Sequence, residues 1–289
     1  MRPLERGDGS RFLRGLWETR RAGTEARASH RADQTHWAKR QPHFAGQNPA
    51  PDSHFGALDE LESLAGATNF FSWIVEGFGN AIGPNTVEVG AGLGTVSRAI
   101  AAAHPHTKVL ALEPAANVYS RAAERLASHP QITLRQATSG DVLASGAAGT
   151  FDTAVYVNVL EHIEDDNGEL EVARQLLAPG GHLCLFVPAM PSLYSAIDHK
   201  SGHFRRYTKQ TLRSRVEQAG FSIDTIEYFD VASVIPYWLM YRALGVETLG
   251  GGSNAIYDKI IVPTSKALQR VIVHPPLGKN LILVARRSR

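Results

Sequence analysis

The densest gathering of reactive side chains in this sequence lies at residues 187–208, where Tyr194, Asp198, His199, His203, Arg205, Arg206 and Tyr207 crowd together. Histidine titrates near neutrality and takes or gives protons, and a neighbouring carboxylate can orient it. Arginine forks onto carboxylate or phosphate. His199 is the first candidate for a general base because Asp198 directly precedes it; His203 is the second. The opposite reading is that these charges pair with one another and pin the loop, Arg205 with Asp198 in particular. Both readings stay open on the sequence. A third histidine, His162, follows Glu161 in Asn158-Val159-Leu160-Glu161-His162-Ile163, and it suits a proton acceptor or a structural hydrogen bond equally.

A second constellation binds rather than reacts. Val87-Glu88-Val89-Gly90-Ala91-Gly92-Leu93-Gly94 is an apolar run, then three glycines at alternate positions, then a stretch that reads as a helix from Thr95. Glycine admits positive φ and lets backbone approach a ligand with no Cβ between them. A helix start beyond it offers free N–H groups. The spacing is Gly-x-Gly-x-Gly, neither the dinucleotide pattern Gly-x-Gly-x-x-Gly nor a phosphate loop ending in Lys-Ser/Thr. Glu113 closes the next apolar run, Leu110-Ala111-Leu112-Glu113-Pro114, where an acid can accept from two ribose hydroxyls.

These residues need a scaffold, and the hydrophobic pattern supplies one. Strands are expected at 86–89, 108–112, 131–134, 151–157, 182–187, 221–226 and 280–285. Helices are expected at 95–103, 117–128, 169–177 (ending at Pro179-Gly180-Gly181) and 208–219, the last stopped by Gly220. Two further helices, around 58–65 and 70–78, precede the first strand. The alternation predicts an α/β, doubly wound, mostly parallel sheet with right-handed crossovers. Ligands in such sheets sit beyond the carboxyl ends of the strands.

With Glu88, the glycine turn and Glu113 in place, the chain resembles the class I S-adenosylmethionine-dependent methyltransferases. Phe151-Asp152-Thr153-Ala154-Val155, Ala178-Pro179-Gly180-Gly181-His182-Leu183 and Gln218-Ala219-Gly220-Phe221 resemble that family's later strand and turn motifs, in order. The resemblance implies a seven-stranded Rossmann-like methyltransferase fold with N-terminal helices and a lid insertion after strand five. It implies S-adenosyl-L-methionine as cofactor, held by Glu88, Gly90, Ala91, Gly92, Gly94, Glu113, Asn158 and Val159. The family's usual adenine-binding aspartate falls near Thr138 here, so Thr138 and Ser139 are assigned to the adenine, with Asp141 as the alternative. Ubiquinone-pathway O-methyltransferases place a metal on Glu-x-x-Glu-His at this site. Asn158 stands where the first glutamate would, so no metal is expected. The implied reaction is methyl transfer to a small-molecule, glycan or lipid-linked acceptor at oxygen. An N- or carboxyl-acceptor and a non-catalytic cofactor-binding module are the alternatives.

The rest of the chain sets bounds. A formal charge of +2 gives no strong push toward nucleic acid or an anionic membrane, and no run reaches the roughly 18 apolar residues of a membrane span. The single Cys184 lies in an apolar run and reads as a buried hydrophobe in a reducing cytoplasm. Residues 1–54 are rich in Arg, Gly, Pro and His and read as a disordered or loosely docked tail before a methyltransferase domain at 55–289. That domain carries acceptor-side insertions at about 188–207 and 231–275. The apolar, aromatic stretch 231–244 reads as a helix lining an acceptor pocket, a core lid helix, a homodimer face or a peripheral membrane contact. The glycines within 249–253 read as a flexible connector.

Overall fold

The computed structural model describes residues 55, 58–246, 256–272 and 274–288. The expected tail at 1–54 and the connector at 249–253 lie outside the described residues.

Seven strands form one sheet in the order β3-β2-β1-β4-β5-β7-β6. They are β1 (Asn85–Val89), β2 (Lys108–Leu112), β3 (Ile132–Arg135), β4 (Phe151–Val157), β5 (Leu177–Pro188), β6 (Phe221–Phe229) and β7 (Asn280–Arg287). All run parallel except β7, which lies antiparallel between β5 and β6. This is the doubly wound, mostly parallel seven-stranded arrangement that the alternation predicts. The helices are α1 (Leu58–Leu64), α2 (Thr68–Phe78), α3 (Thr95–Ala103), α4 (Ala116–Leu126), α5 (Ser139–Ala144), α6 (Asp166–Leu176), α7 (Ala196–Lys200), α8 (Lys209–Gln218), α9 (Val234–Tyr237) and α10 (Val262–Val271).

The central strands read as unbroken apolar runs because both of their faces are covered. On β4, Val155 and Val157 face one core with α2 and α3, while Ala154 and Tyr156 face the other with α6 and α8. That division follows the period of two along a strand. Cys184 is fully buried on β5, and burial pushes its thiol pKa up.

Two details differ from the sequence reading. β5 begins at Leu177 rather than His182, because Leu177 already pairs with Phe151 before a register shift in β4. The stretch 231–244 is helical but not one regular helix: a 3₁₀ turn (Val231–Ser233), α9, and a π-helical segment (Trp238–Ala243) follow one another. A second π segment (Tyr257–Ile261) leads into α10, completing a long excursion between β6 and β7.

Candidate functional site

The glycine turn sits at the carboxyl end of β1, between β2 and β4, at the reversal of strand order where such sheets bind ligands. Gly90, Gly92 and Gly94 all have positive φ, at 70°, 55° and 75°. A Cβ on Gly90 would come within 2.5 Å of Val159, and one on Gly94 within 2.7 Å of Leu126. Around Gly92 the nearest atoms would be those of the Leu61 side chain, at 3.8 Å, an ordinary van der Waals contact with α1. Ala91 N–H donates to the carbonyl of Leu112 at 2.8 Å, tying the turn to the end of β2.

Two buried carboxyls support the turn. Glu88 accepts a short hydrogen bond from the Ser97 hydroxyl. Burial raises its pKa to about 8, against the pull of that bond. Glu113 accepts from Gly92 N–H at 2.9 Å and from Ala115 N–H at 2.9 Å, so one side chain spans the turn and the start of α4. Burial lifts its pKa to about 7. Each of its oxygens keeps a lone pair for a further donor.

Thr138 and Ser139 lie buried at the start of α5. Thr138 N–H and hydroxyl both donate to Asp141, at 2.8 and 2.7 Å, and Asp141 N–H returns a bond to Thr138. Asp141 is therefore a helix-capping residue and is not turned back toward the glycine turn. At the end of β4, Asn158 has φ 54° and donates its N–H to the Phe186 carbonyl at 2.8 Å. The reversal presents Val159 to Gly90.

The three candidate histidines divide. His203, not His199, meets Asp198: Nδ1 lies 2.9 Å from Oδ1. Short helix α7 is followed by Gly202 at φ 81°, which folds the chain back so that His203 N–H donates to the Asp198 carbonyl. His199 is half-buried on α7, one residue past the carboxylate. His162 packs edge-to-face on His203, with ring centroids 4.7 Å apart, and desolvation beside that second imidazole lowers its pKa to about 3. Glu161 is fully buried beside them, and burial raises its pKa to about 7. Glu161, His162 and His203 offer potential ligand atoms within 4.8 Å of one another. One carboxylate with two imidazoles is a donor set for a borderline transition metal. His203, arriving from another segment, thus joins a pair that reads as incomplete at Asn158.

The arginines also sort differently from the expected pairing. Arg206, not Arg205, pairs with Asp198, at 2.8 Å, and Arg206 also donates to the Tyr237 hydroxyl at 2.5 Å. Arg205 binds Asp166 at 2.7 Å, and Arg215 and the Tyr207 hydroxyl meet the same buried carboxylate. Tyr207 is thereby a structural residue. Tyr237 was not tied to this cluster on the sequence, and Arg206 and Glu161 were named there without these partners. The usable signal was Lys200-Ser201-Gly202, a helix stop that returns His203 to the helix it has just left.

The glycine turn and the histidine cluster are contiguous. Val159 touches Gly90, His162 donates its backbone N–H to the Val159 carbonyl, and His203 stacks on His162. Phe55 closes the arrangement: it lies edge-on to His162, and its backbone exchanges two hydrogen bonds with the side chain of Asn117 at the start of α4.

A family described as "Methyltransferase domain" matches residues 87–183, which run from β1 through the glycine turn into β5. Residues 87–183 are thus similar to a methyltransferase domain, and the sheet has the Rossmann-like methyltransferase fold. Among relatives of this methyltransferase domain, a ubiquinone biosynthesis O-methyltransferase of Ralstonia nicotianae is 28% identical over 46% of this chain and 52% of its own length. An uncharacterized protein of a Streptomyces fradiae transposon is 25% identical over 64% of this chain and 54% of its own. The chain thus spans about half the length of these curated relatives. A solved Haemonchus contortus phosphoethanolamine N-methyltransferase 2, in complex with S-adenosyl-L-methionine, shares the fold with a TM-score of 0.55 at 14% identity, over 80% of this chain and 57% of its own.

Proposed function

We propose that this chain transfers the methyl group of S-adenosyl-L-methionine to a hydroxyl of a small-molecule, glycan or lipid-linked acceptor, with His203 as the general base. The Asp198–His203 pair, lying against the glycine turn through His162 and Val159, carries this reading.

The residues present fit the cofactor. A Cβ at Gly92 would meet only the Leu61 side chain, at 3.8 Å, and among the described residues the buried Glu88 carboxyl has no cationic partner, a role the cofactor's amino group would fill. Glu113 would accept from the ribose hydroxyls, and Thr138 and Ser139 would line the adenine. Gly90, Ala91, Gly94, Asn158 and Val159 would shape the cradle. When bound, the cofactor supplies a methyl group already activated by a sulfonium charge, so the protein contributes mainly position and exclusion of water.

His203 supplies the remaining chemistry. Asp198 holds Nδ1–H, which leaves Nε2 as the proton acceptor. As the acceptor oxygen bonds to the methyl carbon, the carbon–sulfur electron pair returns to sulfur and the hydroxyl proton passes to Nε2. Arg206 shares Asp198 Oδ1 with His203, and the Tyr237 hydroxyl donates to Oδ2. His162, kept neutral by its low pKa, packs against the base without competing for the proton. His203 holds the hydrogen bond to Asp198, which makes His199 the weaker candidate.

Calorimetry tests the binding half of this reading. S-adenosylhomocysteine should bind, and Gly92→Arg should abolish binding, because a long side chain at φ 55° strains and crowds the turn. Binding of a nicotinamide dinucleotide in its place would overturn the assignment.

A further inference from the structure

Among the described residues, every large hydrophobic side chain that stands exposed falls between Ile235 and Leu277, in the excursion between β6 and β7. Ile235 is 75% exposed, Trp238 50%, Ile260 61% and Val271 82%, with Leu239, Leu244 and Ile256 similar. This is not loose packing, because the excursion's inner side is firmly bonded. Tyr257 and Ser233 donate to buried Asp230 at 2.5 and 2.6 Å. Asp230 N–H donates to Gln269 and Ala232 N–H to Ser265, so the 3₁₀ turn and α10 are held together. Asp258 accepts from Phe70 N–H at 2.9 Å, anchoring the second π segment to α2. Asp230, Ser233, Asp258 and Ser265 are buried while many large apolar side chains stand outward, unlike an ordinary surface helix.

Charge identifies the occupant. Residues 231–277 contain four Lys and Arg but only two acids. One of these, Asp258, is buried, and Glu247 lies outside the described residues. Lys259 and Arg270 are exposed beside the apolar side chains. Lys266 pairs with Glu76 of α2, which leaves Lys259 and Arg270 beside exposed isoleucine, leucine and tryptophan, the composition of an element lying in the plane of an anionic bilayer. A protein partner would need no such excess of cations.

Tyr237 connects this surface to the chemistry. It lies between exposed Ile235 and Trp238, and its hydroxyl bonds to Arg206 and Asp198 of the candidate base cluster. We infer that the β6–β7 excursion docks on an anionic lipid surface and brings the acceptor side of the site to headgroup level. Its substrate class is then an acceptor with a lipid tail, whose hydroxyl reaches His203 while the tail stays in the bilayer. This last step rests on the reading proposed above; the docking does not.

The test is co-sedimentation of the full chain with vesicles of mixed phosphatidylcholine and phosphatidylglycerol, and with vesicles of phosphatidylcholine alone. The wild type should partition onto the mixed vesicles and far less onto the neutral ones. Each base near the surface is worth about fivefold in partition, so K259Q/R270Q should lose roughly 30-fold. Ile235→Glu with Val271→Glu should abolish partition. Both positions are exposed, so melting temperature should hold; K259Q/R270Q gives an independent answer if the glutamates unfold the chain. Failure of the wild type to bind the mixed vesicles would overturn the proposal. So would a wild-type dimer that the glutamate variant splits, since a second copy would then own the face. S-adenosylhomocysteine affinity, measured on the same samples, separates the two readings: its loss with vesicle binding intact would sink the cofactor assignment alone.

Discussion

Glu88 gives a quantitative test that needs no knowledge of the acceptor. Its carboxyl lies buried under the glycine turn, and desolvation holds its pKa at about 8. At pH 7 it is therefore about nine-tenths protonated. A cofactor amino group arriving as a cation restores the stabilisation that burial removed, and the carboxyl should ionise. A return to its ordinary value of 4.5 releases about 0.9 proton per cofactor bound at pH 7. Glu113, held by burial at about 7, is half protonated there and can add up to about 0.5 more when ribose hydroxyls donate to it. The assay is titration of S-adenosylhomocysteine by calorimetry in two buffers of different ionisation enthalpy, whose difference in heat counts protons. Glu88→Gln should remove about 0.9 of the released proton. It should also stabilise the empty fold. A raised carboxyl pKa costs stability as pH climbs from 4.5 toward 8, about 3 kcal/mol at pH 7, and glutamine does not bear that cost. Heat independent of buffer at pH 7 would refute the reasoning.

Two further outcomes follow from the histidine cluster. Asp198 is pushed up by burial but drawn down further by His203 and Arg206, to about 2. Its stabilisation is present above pH 4 and fades as pH falls toward 2, by about 2 kcal/mol; Asp198→Asn should flatten that acid limb in a series of melting curves. Turnover should survive chelation, because His203 held by Asp198 accepts the proton without a cation. Loss of turnover with a chelator and recovery with added zinc or manganese would instead make Glu161, His162 and His203 metal ligands.

The glycine turn and the position of Glu113 beside it were legible because they are local. A strand, a glycine turn and a helix adjoin in sequence, and Glu113 ends the very next strand, so spacing alone carries the geometry. The sheet was legible for the same reason: buried parallel strands are continuous apolar runs between Gly and Pro. The acceptor side was not, because its contacts span separate segments. Asp198 adjoins His199 in sequence, yet successive residues on a helix point about 100° apart, and it is the Gly202 reversal that delivers His203. Arg206 reaches Asp198 while Arg205 turns to Asp166, a choice that one residue of register decides. Tyr237 arrives from beyond β6, and no spacing rule links it to Asp198. Helix α5 escaped notice because six residues carry too little periodicity, and only its reciprocal Thr138–Asp141 cap marks it.

The most direct measurement of the central claim is transfer of a deuterated methyl group from S-adenosylmethionine into a lipid and metabolite extract, followed by mass spectrometry. Wild type, His203→Ala, His199→Ala and His162→Ala are compared, with cofactor affinity and melting temperature measured alongside. One acceptor should gain a single labelled methyl. His203→Ala should lower its rate by about 10²–10⁴-fold while cofactor affinity stays nearly unchanged, and His199→Ala should stay close to wild type. A near-normal rate in His203→Ala would contradict the account, since the transfer would then proceed with no base at the Asp198 pair.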